Sequence, residues 1–331
     1  MKRLFVIGLL APVSCLFGAI DGLVINGTTG NPQSGVSVNL IHPSADQGMQ
    51  TLGTGNSDAS GAFKIDKDLP SPPALLQGVY KGATYTLFLQ PGAPTSGLRF
   101  VVYDVTAKSP DVKLDQHMMM IEPATDALHV TEVFQLSNAG KTTLLDPEKG
   151  SIQFFMPSDA QGANVGIDAP GGMPIKRPPE KTKQAGVFKE SYPVKPGDAT
   201  TYEVTYSLPP GQKLSGKLFG DAPVTMVSGP AVTLSGDKLQ TRGQDPKLHA
   251  HIYTMPASTA GAAFELSITG TGVIRTDSAD SGGGQEQQAD TGQPEATAGP
   301  ARVYDRLYWV LGLAFGILAV GGALLYRRGV A

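Results

Sequence analysis

The run from Leu307 to Tyr326 holds twenty residues without a charged side chain and is followed directly by Arg327 and Arg328. An α-helix rises about 1.5 Å per residue, so about twenty apolar residues cross a hydrocarbon core roughly 30 Å thick. The stretch predicts a transmembrane helix over 305–326. Arg327 and Arg328 would hold residues 327–331 in the cytoplasm by the positive-inside tendency, and Tyr308, Trp309 and Tyr326 suit the interfacial belts. Nearly all the rest of the chain is then expected on one side of a membrane and tied to it.

The other end supplies the route. Lys2 and Arg3 precede an apolar segment from Leu4 to Phe17, and the small residues Gly18 and Ala19 follow. This is the pattern of a secretory signal peptide over residues 1–19, with the mature chain starting near Ala19 or Ile20. The expected location is the cell membrane, single-pass, with the ectodomain in the periplasm or at the cell exterior. Cys15 is the only cysteine and lies inside the signal, so disulfides and cysteine metal sites are excluded from the mature chain. A lipoprotein signal would make Cys15 the lipidated first residue, but Pro12 stands where that pattern wants an aliphatic residue, so the plain signal is the preferred reading.

The net charge of -3, with no basic patch, lacks the electrostatic footprint of nucleic-acid binding. From Thr276 to Ala301 the chain is Ser, Gly, Gln, Ala and acidic residues, without an aromatic or basic side chain. Such a composition buries too little apolar surface to fold, and residues 275–304 read as a disordered tether with an r.m.s. span of roughly 28 Å. Pro294-Glu295-Ala296 is a faint echo of a tripartite sorting motif, but it stands at the wrong distance from the helix. Between signal and tether, about 255 residues remain, enough for two domains.

Residues 20–108 alternate short β-rich runs with turn residues. Val36-Ser37-Val38-Asn39-Leu40 puts its apolar set on one face and its polar set on the other, and Asn26-Gly27, Gly30-Asn31-Pro32 and Ser60-Gly61 punctuate the runs. The order Gly22, Val24, Asn26, Thr28, Gly30, Pro32, then Gly35 to Leu40, then Asn56-Ser57-Asp58 and Gly61-Ala62-Phe63-Lys64-Ile65, resembles the carboxypeptidase regulatory-like domain. That resemblance implies a transthyretin-like β-sandwich acting as a stalk or interaction module, without catalytic residues of its own. Bacterial-type single-pass envelope proteins with this order of segments are similar to the chain as a whole.

Residues 109–274 repeat the β signature with longer strands, among them Leu128 to Leu136, Thr200 to Leu208 and Leu248 to Tyr253. They read as a second, larger β-sandwich of no assigned family, with a mobile excursion from Asp168 to Lys183. The fold class is therefore mainly β: two tandem β-sandwich domains, a disordered tether and a C-terminal transmembrane helix.

Three histidine patterns bear on chemistry. His129-Val130-Thr131-Glu132 matches the ligand pair of zinc carboxypeptidases, but residues three apart on a strand point to opposite faces. His249 and His251, two apart, would share a strand face and offer a metal two imidazoles, which is too few for a site. His117, ahead of Met118, Met119 and Met120, offers soft ligands for copper(I), although strand geometry sends successive methionines to alternate faces. Asn26-Gly27-Thr28 fits a glycosylation sequon. Within the apolar helix, Gly312, Gly316, Ala319 and Ala323 form a stripe of small residues suited to helix packing and a helix-mediated homodimer.

The expectation is a non-enzymatic, membrane-anchored binding or scaffolding protein that displays β-sandwiches to a protein or glycan partner, without a cofactor and without nucleic acid. Two alternatives are a metal-dependent hydrolase or metal-handling protein using the His249 and His251 strand, and an accessory subunit of a receptor or envelope assembly complex.

Overall fold

The computed structural model describes residues 19–44, 48–70, 73–220, 222–246, 249–257 and 261–274. The signal segment with Cys15, the tether, the apolar helix with Gly312, Gly316, Ala319 and Ala323, and the pair Arg327 and Arg328 lie outside them. The described residues all belong to one compact unit and are mainly β, in several sandwich-like sheets.

A first group of strands comprises β1 (Ile20–Asn26), β2 (Ser37–Ser44), β3 (Gly48–Asn56), β4 (Ala62–Ile65), β5 (Ala74–Tyr80), β6 (Ala83–Leu89) and β7 (Leu98–Val102). They form a four-stranded sheet in the order β3-β2-β5-β6 and a three-stranded sheet in the order β4-β1-β7. The physical cause is the period-two pattern: in β1, Ile20, Val24 and Asn26 turn inward while Leu23 faces water. Val24, Val38, Leu40, Phe63, Ile65, Leu76, Tyr85 and Phe100 close a core between the two sheets, here the first lobe. Each such side chain contributes about 1.5–3 kcal/mol by leaving water.

The rest of the chain adds β8 (Val105–Thr106), β9 (Val112–Pro123), β10 (Leu128–Asn138), β11 (Thr143–Leu144), β12 (Ile152–Phe155), β13 (Gln161–Asp168), β14 (Ile175–Arg177) and β15 (Glu180–Lys181). After them come β16 (Val187–Glu190), β17 (Gly197–Leu208), β18 (Lys213–Leu218), β19 (Val224–Ser228), β20 (Thr233–Ser235), β21 (Gln240–Asp245), β22 (Ala250–Met255) and β23 (Ala262–Thr269). An eight-stranded sheet runs β14-β13-β17-β10-β9-β19-β22-β21. Two three-stranded sheets, β12-β16-β15 and β18-β23-β20, share a second core with it, built on Ile121, Phe134, Phe154, Tyr202, Leu214 and Leu266. β9 to β23 are the second lobe, while Val105 of β8 packs on the first core.

The two cores are joined by backbone. β8 and β11 pair in parallel, the Thr143 N–H donates to the Asp104 carbonyl at 2.8 Å, and the Thr28 hydroxyl donates to the Lys141 carbonyl at 2.5 Å.

The segment expected as a mobile excursion from Asp168 to Lys183 instead carries β14 and β15. β14 pairs with β13 through Ile167↔Ile175, Gly166↔Lys176 and Val165↔Arg177, and β15 pairs with β16. The strand expected from Leu248 to Tyr253 starts at Ala250 and runs on to Met255. His249 sits ahead of it in a turn at φ 44°.

Candidate binding cleft

A cleft of about 720 Å³ lies between the lobes. Its two walls differ in kind. From the first lobe, β5 supplies Leu75 and Gln77, and β6 with the turn before it supplies Gly82, Thr84 and Thr86. These are alternate residues, so this wall is the outer face of the four-stranded sheet. Leu75 is only 1% exposed although it points away from the first core. From the second lobe, Gly172 to Arg177 line the cleft without a gap. Of this run Ile175, Lys176 and Arg177 form β14, and since successive side chains of a strand alternate in direction, lining by all three means that the strand's backbone borders the cleft as well. Met49, Met173 and Ile175 are 48%, 43% and 38% exposed and bring the large apolar surface into it.

Beneath the second-lobe side lies a hydrogen-bonded polar network. Glu190 is fully buried at the end of β16, and Arg177 holds it in a bidentate grip: Nε donates to Oε2 at 2.8 Å and Nη2 donates to Oε1. The Glu190 Oε1 also accepts the Tyr192 N–H at 2.9 Å. The Tyr192 carbonyl in turn accepts the Tyr202 hydroxyl at 2.8 Å and the Ser151 hydroxyl at 2.5 Å. A buried carboxylate is tolerated only when paired and hydrogen-bonded, and these bonds satisfy it. The hydrogen bonds that Arg177 donates to Glu190 raise its pKa above the ordinary value.

Behind Tyr192 the lobes meet through Lys195. Its ammonium lies 5.5 Å from the ring centre of Tyr85, in the first lobe, and 5.7 Å from that of Tyr192. The Tyr85 hydroxyl donates to the Tyr103 carbonyl at 2.9 Å and shares a hydrogen bond of 2.9 Å with the Thr143 hydroxyl. Burial lowers the Lys195 pKa to about 8, because the aromatic faces compensate only part of the lost hydration.

The histidines singled out in the sequence lie elsewhere. His117 is buried in the second core, where Nε2 meets Oε1 of Glu132 at 2.5 Å and the ring stacks on Phe134 with centroids 4.4 Å apart. Met119 is buried beside it on the same face of β9, while Met118 and Met120 are on the other. His129 is on the outer face, hydrogen-bonded to the Ser207 hydroxyl at 2.9 Å, so it and Glu132 do point opposite ways. His251 bonds to the Gln244 side chain at 3.0 Å and the Pro230 carbonyl at 3.1 Å. Since His249 precedes the strand with a left-handed backbone, the shared-face relation expected of His249 and His251 does not hold for them. Among the described residues no three His, Cys, Asp or Glu side chains converge as a metal group. The Asn26 side-chain nitrogen, the atom a glycan would take, donates to Gln33 and Asp104, both at 3.1 Å, and the residue is 4% exposed.

The sequence reading named none of the cleft residues as a candidate site, although Gly172 to Arg177 fall within the excursion expected from Asp168 to Lys183. Arg177 and Glu190 sit in a Pro- and Lys-rich stretch without periodicity, and the Tyr85 and Lys195 contact joins residues far apart in the chain.

No family model matches the chain, and no curated protein matches it. Among solved structures it is similar to the M1 zinc metallopeptidase from Deinococcus radiodurans, at 6% identity and a TM-score of 0.25; the match covers 49% of this chain and 43% of that one. A likeness of that size carries no argument about fold or chemistry.

Proposed function

We propose that the chain is a membrane-anchored, extracytoplasmic binding or scaffolding protein without catalytic activity, engaging a protein partner through the cleft between its lobes. On this reading the first lobe is a carboxypeptidase regulatory-like sandwich, the second is a larger β-sandwich, and the acidic tether with the apolar helix carries both above a membrane. The observation that supports it is the cleft itself: exposed Met49, Met173 and Ile175 beside the Arg177 and Glu190 ion pair. Apolar surface gathered in a concavity at the meeting of two lobes is where ligands commonly bind, and methionine adapts to a partner's shape.

The test is photo-crosslinking in native membranes, with a benzophenone side chain at Met173 and, as control, at Lys238, which lies outside the cleft. One reproducible adduct at Met173 and none at Lys238 supports the reading. Repeated silence at Met173, or the same adducts at both positions, sinks it. Protease added outside intact spheroplasts should digest the region between residues 20 and 274, and full protection would remove the extracytoplasmic placement.

A further inference from the structure

We infer that the cleft takes an extended, acidic peptide, which adds as a strand to the open edge of β14 with one face laid on the outer face of the first-lobe sheet. This rests on the binding reading above and names the chemistry of its partner.

Three observations carry it. β14 is the terminal strand of the eight-stranded sheet and, among the described residues, pairs only with β13; all three of its residues line the cleft, so its uncovered side is open to a further strand there. A row of backbone donors and acceptors at strand spacing is matched by an extended chain about 4.8 Å away, rather than by a sugar or an acyl tail. The opposite wall is a side-chain face, where Gln77, Thr84 and Thr86 offer polar contacts and Met49 an apolar one, over the buried Leu75. A strand seated on β14 therefore has alternate side chains read by the first lobe, which supplies selectivity that an edge alone lacks. Finally, the cations of the lining are Lys176 and Arg177; Arg177 is paired with Glu190 and lies 3.9 Å from Glu180, so the uncompensated charge is that of Lys176. Lys176 is exposed and forms no ion pair with a described residue, and Arg177, its charge already met by Glu190 and Glu180, keeps its Nη1 group free of a hydrogen-bond partner among the described residues. The charge complement is an Asp or Glu side chain or a terminal carboxylate.

The experiment uses the full chain in nanodiscs, panned with a phage-displayed random dodecapeptide library, followed by synthesis of the enriched sequences. Enriched peptides should alternate Asp or Glu with Val, Ile or Thr, and Lys176→Glu, an exposed change that leaves the core untouched, should weaken them by about tenfold. Bound peptide should slow amide exchange at residues 175–177. Methylating alternate peptide nitrogens should abolish binding in one register and spare it in the other, as one-sided strand pairing requires. Failure to enrich any clone sensitive to Lys176→Glu, enrichment of basic peptides, or tolerance of N-methylation in both registers would each overturn the inference. A Met173 crosslink that persists alongside such failure would mean that a partner uses the cleft in another way, whereas loss of the crosslink too would remove the parent reading.

Discussion

Nε2 of His117 lies 2.5 Å from Oε1 of Glu132, and both side chains are closed off from solvent between β9 and β10. The sequence offered His117 as a soft-metal ligand beside three methionines, but in the fold it is occupied by a carboxylate and an aromatic face. The pair is a packing element of the second core. Its value is asymmetric, since removing one partner leaves the other buried without compensation.

His117→Leu alone is accordingly expected to lower the stability of the second lobe by about 3–5 kcal/mol, and the double variant His117→Leu/Glu132→Met to recover most of it. Urea midpoints followed by far-ultraviolet circular dichroism measure both. Equal loss in the single and double variants would mean that the two side chains are not coupled.

Arg177 and Glu190 predict a second asymmetry. A lysine keeps the charge but has no planar fork, so Arg177→Lys should forfeit one charge-assisted hydrogen bond, about 2 kcal/mol. Arg177→Met should cost more, about 3 kcal/mol or above, because Glu190 is left fully buried and unpaired. Amide exchange at Tyr192, whose N–H is held by Glu190, reports the local loss directly. Unchanged exchange there in Arg177→Met would show that the ion pair does not order the polar network beneath the cleft.

Lys195 makes a pH prediction with a definite sign. Its folded pKa of about 8 is below the 10.5 of an unburied lysine, so below pH 8 the folded state carries the full cost of a charged, desolvated ammonium. That cost is relieved as the pH rises from about 8 to 10.5, where the unfolded chain still binds the proton; its upper bound is about 3 kcal/mol. Tyr85 and Tyr192 are held above their ordinary values by burial and stay neutral over most of this window. Wild type should therefore gain stability between pH 8 and 10 relative to Lys195→Met. Parallel stability profiles for the two proteins would refute the assignment.

Two glycines are expected to be intolerant for different reasons. A Cβ on Gly22 would stand 2.2 Å from the Leu98 carbonyl oxygen, because β1 and β7 pair in parallel at that point. Gly61 has φ 79°, and a Cβ there would stand 2.8 Å from the Val24 carbonyl oxygen. Gly22→Ala should cost about 1–3 kcal/mol through overpacking, and Gly61→Ala a similar amount through backbone strain added to the clash. Thermal midpoints within a degree of wild type for either would contradict these contacts.

Both glycines stood in the sequence pattern that resembles the regulatory-like domain, and the reason for their presence became visible only as a distance. Strands with strict alternation were readable: Tyr202-Glu203-Val204-Thr205-Tyr206 lies inside β17, and the Val36 to Leu40 run overlaps β2. What escaped were strands too short for a period to register. β14 and β15 lie in a stretch rich in Pro and Lys, and tertiary pairing with β13 and β16 makes them strands. For the same reason no local signal marked Arg177, Glu190 or Lys195. Their partners come from other elements, and a single chain read in order carries no record of which side chains will meet. His249 was misplaced by a boundary: the strand starts two residues later than expected, at Ala250, which leaves His249 in the preceding turn with a left-handed backbone.

The parallel pairing of β9 with β19 joins residues roughly a hundred positions apart, from His117↔Val224 to Ile121↔Ser228. The first core, in contrast, is complete once Val105 is available. A chain that emerges N-terminus first can therefore close its first lobe while the centre of its large sheet still waits for β19 and β22. During that interval β9 and β10 form a hairpin with one long unguarded edge, and the already folded first lobe is its nearest neighbour in sequence. The order of synthesis thus sets two folding clocks in one compact unit, and the slower one governs when the cleft between the lobes comes into being.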